Sequence, residues 1–282
     1  MRVNRSDSSL REFLATHPVF TVPQLARWYA SDRAVGERTV EALLAYHTKS
    51  GHLLRVRKGL YAVVPPGLTP GIVNVDLFLI AGHLTSDAVL AFHTALEVHG
   101  KAHSLTHQFL YLTNLAARPF VFRGQRFLAV RQPAALRRKQ AEDFGVVSVD
   151  RIGLSVRVTS LERAMVDLLN RPRFGGGWEE IWRSLEGIEF FDLETLVEYA
   201  LLLDNATTIA KVGFFLEQHR EPLMVEERHL ALLRRRIPRV PHYLSRADRR
   251  SGKLVAGWNL VVPAAILERR WQEVVLIREN LS

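Results

Sequence analysis

Between residues 8 and 64 apolar positions recur three times at helical spacing and then switch to alternation. Leu10, Phe13 and Leu14 predict a short helix capped by Ser8 or Ser9 and closed at His17-Pro18. Leu25, Trp28 and Tyr29 predict a second helix, opened by Thr21 with Pro23 in its first turn. A third runs from the Ser31-Asp32 turn to Ser50-Gly51. Val40, Leu43, Leu44 and His47 share one face of it, and Arg38, Thr39, Glu41, Ala42 and Ala45 lie elsewhere. The next stretch, GHLLRVRKGLYAVV from Gly51 to Val64, holds two short apolar runs around Arg57-Lys58-Gly59 and predicts a two-stranded hairpin with a cationic tip. Three helices followed by a basic hairpin is the order of a winged helix.

Pro65-Pro66-Gly67-Leu68-Thr69-Pro70-Gly71 is the strongest break in the pattern and reads as a linker. It divides the chain into residues 1–67 and 68–282. Past it, residues 74–82 and 86–99 read as helices, the second capped by Ser86. The period then shortens. Residues 108–113, 120–122, 126–130, 146–149 and 154–158 read as strands, with Arg123-Gly124-Gln125 as a hairpin turn. Thr159-Ser160-Leu161-Glu162 has the form of a capping box opening a helix to Asn170. Residues 178–185, 193–203, 208–219 and 225–236 are helical in pattern, 254–262 strand-like, and 264–277 helical. The expected fold class is therefore α+β: an N-terminal winged helix-turn-helix followed by a mixed α/β C-terminal domain.

Charge changes this picture more than composition does. The net formal charge is +9. Residues 1–67 hold ten Lys/Arg against five Asp/Glu, so over half of the excess lies in a quarter of the chain. That excess favours an anionic partner for the winged-helix segment. On a recognition helix Arg33, Arg38 and Thr39 would stand nearest base edges, because Arg reads guanine bidentately and Thr offers a hydroxyl or a methyl. Arg55, Arg57 and Lys58 on the wing would meet phosphates, which supply affinity and register. Glu37 and Glu41 work against this, and the same architecture also serves as a protein-interaction module or in a general transcription regulator. Residues 178–227 carry ten Glu and two Asp, and a cationic block follows. In it Arg234, Arg235, Arg236, Arg239, Arg246, Arg249, Arg250 and Lys253 are opposed only by Asp248, which suits either a solvated loop or a second basic contact.

Candidate chemistry is thin. There is no Cys, hence no disulfide, thiol nucleophile or Cys-ligated zinc. His83, His93, His99, His103 and His107 cluster in sequence without an H-E-x-x-H spacing, so no metal or cofactor is expected. Gly175-Gly176-Gly177 lacks the context of a phosphate loop. MRVNRSDSSL lacks the apolar core of a signal peptide, and no apolar run reaches membrane-spanning length. The expectation is a cytoplasmic protein that is not an enzyme and has no membrane partner.

The wing RVRKGLYAV (55–63), SDAVLAFHTALEVHG (86–100), VRVTSLERAMVDLLNRP (156–172), FGGGWEE (174–180) and GWNLVVP (257–263) together resemble the AbiEi antitoxins of AbiE-type (type IV) toxin–antitoxin systems. The resemblance implies an N-terminal winged helix that binds repeat sequences in operator DNA upstream of its operon and represses it. It also implies a C-terminal antitoxin domain that counters an AbiEii-type nucleotidyltransferase toxin, with direct contact between the two left open. Only the basic wing and the preceding helix, Arg33, Arg38, Thr39, Arg55, Arg57 and Lys58, carry over as DNA contacts.

Overall fold

The computed structural model describes residues 5–32, 37–245 and 252–268. The first unit runs α1 (Arg5–Thr16), β1 (Val19–Thr21), α2 (Val22–Asp32), α3 (Glu37–Lys49), β2 (Leu53–Arg57) and β3 (Leu60–Val63). The strands form an antiparallel sheet in the order β1-β3-β2. Helix α1 starts before the expected Ser8 or Ser9 cap, and β1 is a strand that three residues of sequence did not announce. At the head of α2 the Gln24 carboxamide oxygen accepts from the Thr21 N–H at 2.7 Å and its hydroxyl at 2.9 Å. That fastens the strand-to-helix corner.

The three-stranded sheet serves two cores at once. Phe20, Leu53, Tyr61 and Val63 face the helices, completing a small core of Leu10, Phe13, Leu25, Tyr29, Val40 and Leu44. The alternate residues Val19, Val56, Leu60, Ala62 and Val64 belong instead to the large core of the second unit. Each buried Val or Leu stabilises by about 1.5–3 kcal/mol relative to exposure, so this face alone outweighs any surface ion pair in docking the units. The linker between them forms turns with exposed prolines, and Val73 and Val75 then enter the large core. Arg123 donates to the carbonyls of Pro70 and Val73, tying down its far end.

The second unit begins with α4 (Leu77–Gly82), three residues later than the start expected at 74 and capped by Asp76. Next come β4 (Val89–Leu90), α5 (His93–Val98), β5 (Gln108–Thr113), β6 (Phe120–Phe122), β7 (Gln125–Arg131), α6 (Ala134–Lys139), β8 (Val146–Arg151) and β9 (Leu154–Thr159). These strands make one mixed sheet, β6-β7-β5-β4-β9-β8. The helix expected over 86–99 is thus a central strand and a shorter helix. Ala88 to Phe92 is a continuous buried run, and a run that short is periodic with neither element. Arg123-Gly124 and Ile152-Gly153, with positive φ at both positions, make the two-residue turns whose twist suits a hairpin.

Five helices follow: α7 (Leu161–Asn170), α8 (Trp178–Glu186), α9 (Leu193–Leu203), α10 (Ala206–Gln218) and α11 (Glu227–Arg234). The cap of α7 is Ser160, whose hydroxyl accepts from the Arg163 N–H at 3.3 Å. Thr159 is buried in β9, so the capping box as spaced in sequence does not form. The chain closes with β10 (His242–Tyr243), β11 (Gly252–Val255), β12 (Leu260–Pro263) and α12 (Ala264–Leu267), in a small sheet ordered β10-β12-β11. The single strand expected at 254–262 is therefore two, split by a turn that buries Trp258 against Gly213 of α10. Of the helix expected over 264–277, Ala264–Leu267 is helical, and residues 269–277 lie outside the described residues. No helix of the described residues is long and apolar enough to cross a membrane.

Candidate nucleic-acid interface

Helix α3 divides as its periodicity demands. Val40 and Leu44 are buried, Leu43 and His47 half-buried, and Arg38, Thr39, Glu41, Ala42 and Ala45 exposed. The buried stripe fixes the helix to the first unit and leaves a face of small and polar residues outward, the surface a major-groove reader presents. Tyr46, 65% exposed, and Lys49 extend that face toward the C-terminus. Tyr46 is a surface aromatic that an apolar-periodicity reading does not single out. Arg33 lies outside the described residues.

The wing separates three cations that look equivalent in sequence. Arg55 pairs with Tyr61, but Arg57 pairs with Leu60, so Val56 is an extra residue in β2. Such a bulge re-aims every side chain beyond it. Arg55 stays exposed on the helix side of the sheet. Arg57 turns to the Leu60 face, toward the second unit, where its guanidinium donates to the Leu84 carbonyl and lies 5.9 Å from the Phe120 ring centre. Lys58 is exposed at the tip, and Gly59 takes the left-handed φ of +81° that closes the turn. Arg57 therefore differs from its expected place as a free wing cation: it links the two units.

A second link lies beside it. The Gln24 amide stands 3.1 Å from His83 Nε2, and His83 Nδ1 stands 2.8 Å from the Leu79 carbonyl. A carbonyl only accepts, so Nδ1 carries the proton and Nε2 accepts from Gln24. Burial lowers the His83 pKa against the opposing pull of the Leu79 carbonyl, and His17 adds to the lowering. The neutral imidazole this bond requires is thus the favoured form.

His93 and His99 are spent on structure. His93, nearly fully buried, has Glu97 Oε1 at 3.0 Å from Nδ1 and Glu180 Oε1 at 3.0 Å from Nε2. Burial opposes its charge, but hydrogen bonds and charges from Glu97 and Glu180 prevail and raise its pKa. His99 Nε2 meets the Thr159 carbonyl at 2.8 Å. His103 and His107 lie in the connection from α5 to β5, so their four-residue spacing does not put them on one helical face. No cluster of His, Asp and Glu among the described residues has the makings of a metal site.

The basic block of the second unit is largely neutralised where it is described. Arg234 bridges Glu217 and Glu227 and lies 5.1 Å from the Trp258 ring centre, which makes it a packing residue. Arg236 approaches Asp204 at 3.7 Å, and Lys253 meets Glu268 at 3.2 Å. Arg235 and Arg239 are exposed, and Arg246, Arg249 and Arg250 lie outside the described residues. What the sequence reading missed is Arg27. It is exposed on α2, one turn beyond Pro23, on the helix that in helix-turn-helix proteins crosses the DNA backbone.

Residues 8–64 match a protein family described as "Transcriptional regulator, AbiEi antitoxin". Over these residues the first unit, with its winged helix, is similar to AbiEi-type regulators. No curated protein matches the chain significantly. Among solved structures, the RV2827C protein from Mycobacterium tuberculosis superimposes with a TM-score of 0.59 at 18% identity, over 96% of each chain. At that identity the likeness is one of fold, and it extends through both units.

Proposed function

We propose that this protein is a DNA-binding transcriptional autorepressor and the antitoxin of a type IV toxin–antitoxin pair, acting by binding rather than catalysis in the cytoplasm. The observation that carries the reading is the exposed face of α3, with Arg38 and Thr39 in its first turns, within a unit matched to AbiEi regulators. Base readout falls to Arg38 and Thr39, with Arg33 preceding them. Arg55 and Lys58 anchor phosphates, and the operator is a repeat sequence upstream of the protein's own operon. The second unit opposes a nucleotidyltransferase-like toxin encoded beside it.

Titration of the upstream duplex at several salt concentrations tests the DNA reading. Arg55→Ala and Lys58→Ala should each reduce the slope of log K against log salt by about 0.9, uniformly across sequences. Arg38→Ala should instead cost about 1–3 kcal/mol on the upstream sequence and less on unrelated DNA. A duplex bound equally well by all three variants sinks the assignment. Co-expression with the neighbouring toxin tests the second half: growth restored by the intact chain supports it, and growth arrest despite full expression refutes it.

A further inference from the structure

Where the wing tip meets the second unit there is a cleft of about 460 Å³, a volume within the range of small-ligand sites. Arg27 and Lys58 line it from the first unit, and Arg157 of β9 with Thr85 and Ser86 lines it from the second, the Thr85 hydroxyl donating to Thr113 Oγ1 at 3.2 Å. Arg57 completes the wall, with its guanidinium donating to the Leu84 carbonyl. No Asp or Glu is among the described residues lining the cleft. The nearest carboxylates are committed elsewhere. Asp87 accepts from the Thr113 hydroxyl and, at 2.7 Å, from the Asn114 N–H. Asp143 pairs with Arg157, but its side chain is 83% exposed and that of Arg157 42%, so the pair is a weak surface one that an anion can displace. Cations from two units, a serine beside them and no lining carboxylate make up the chemistry of phosphate recognition.

We propose that this junction cleft is a phosphate-anion site bridging the DNA-binding unit and the second unit. Its occupant is either a free phosphorylated small molecule or a phosphate of bound DNA running past the wing. The DNA arm alone rests on the function proposed above. Because the walls come from both units, an anion there favours the docked arrangement over any separated one and raises the thermal midpoint by mass action.

The test titrates the full chain with inorganic pyrophosphate at constant ionic strength, following heat and thermal midpoint, and repeats the duplex titration. Arg157 is not one of the residues given a DNA contact in the function proposed above, so its variants probe the cleft and not the α3 and wing contacts. Saturable pyrophosphate binding that Arg157→Ala weakens about tenfold or more, that Arg157→Lys largely keeps and that Asp143→Asn strengthens supports the free-ligand arm. No pyrophosphate binding, but a salt slope for duplex reduced by about 0.9 in Arg157→Ala, supports the DNA-phosphate arm. Neither effect, in a variant whose unaltered circular dichroism and thermal midpoint show that it folds, overturns the proposal. Pyrophosphate bound with no duplex bound would keep the cleft and remove the DNA reading. Duplex binding that needs Arg38 but ignores Arg157, with no pyrophosphate bound, would do the reverse.

Discussion

Arginine is used in opposite ways by the two units. In the first, Arg38 and Arg55 stand in solvent, Arg38 on the open face of α3 and Arg55 beyond the edge of the small core. In the second, Arg163 of α7 has no exposed surface at all. Its guanidinium donates to the carbonyls of Glu142 and Phe144, each at 2.7 Å, and to Gln132 Oε1 at 2.8 Å. Nε lies 3.5 Å from Asp167, whose other oxygen accepts from the Tyr199 hydroxyl at 2.9 Å. Arg57 is intermediate, drawn from wing to seam by one inserted residue. The side chain is the same in each case, and desolvation decides its role. A cation left in water keeps its charge available to a partner, whereas a buried one is held by carbonyls and a counterion and then belongs to the fold.

The comparison breaks most sharply at Arg163. Arg163→Met should destabilise the protein by about 3–5 kcal/mol, because Asp167 is left as a buried charge without its counterion. Urea unfolding reads this directly, and an unchanged midpoint would show that the network is not structural. Arg38→Ala should be its mirror image, with stability changed by no more than about 0.5 kcal/mol while duplex affinity falls. A large loss of stability there would place Arg38 in the fold rather than at the interface.

The His93 triad sharpens the contrast through pH. Its raised pKa means that the stabilisation is full below the ordinary histidine value of about 6.5 and is lost as pH rises through the folded value. The Glu180 pKa is lowered: burial opposes this, but the bonds from His93 and Ser104 outweigh it. Its contribution therefore persists above the ordinary carboxylate range and is lost as pH falls through the folded value. Stability against pH should show both limbs. His93→Gln should lose the alkaline limb, and a variant that retained it would assign that limb to another group. The smallest effect belongs to Arg236, whose approach to Asp204 is a surface one. Arg236→Ala should change stability by about 0–1 kcal/mol, and a larger loss would mean that this part of the basic block is structural after all.

Legibility followed the range of the interactions. The strands at 108–113 and 120–122 and the helix at 193–203 lie where alternation and helical spacing put them. So does the division of α3 into a buried stripe and an open face, because one helix face packing on one core is enough to produce it. The short buried strand β4 and the one-residue shift of the α7 cap were not legible. Each depends on partners distant in sequence: β4 on β5 and β9, the cap on Thr159 being held in its strand. Among the wing cations Arg57 was misplaced for the same reason, since a bulge leaves alternation in sequence intact while reversing a side chain in space.

By itself the sequence determined a basic winged helix followed by a mixed α/β unit, and an outward helix face suited to DNA. Covalent geometry imposes the 3.6- and two-residue periods on any chain that buries one face, so these could be read one residue after another. Only the tertiary structure decided that the wing sheet is shared by two cores, that Arg163 and Arg234 are structural, and that Arg27, Lys58 and Arg157 converge on one cleft. The reason is that a charge acquires its role from what surrounds it, and those surroundings come from segments up to 130 residues apart, between Arg27 and Arg157.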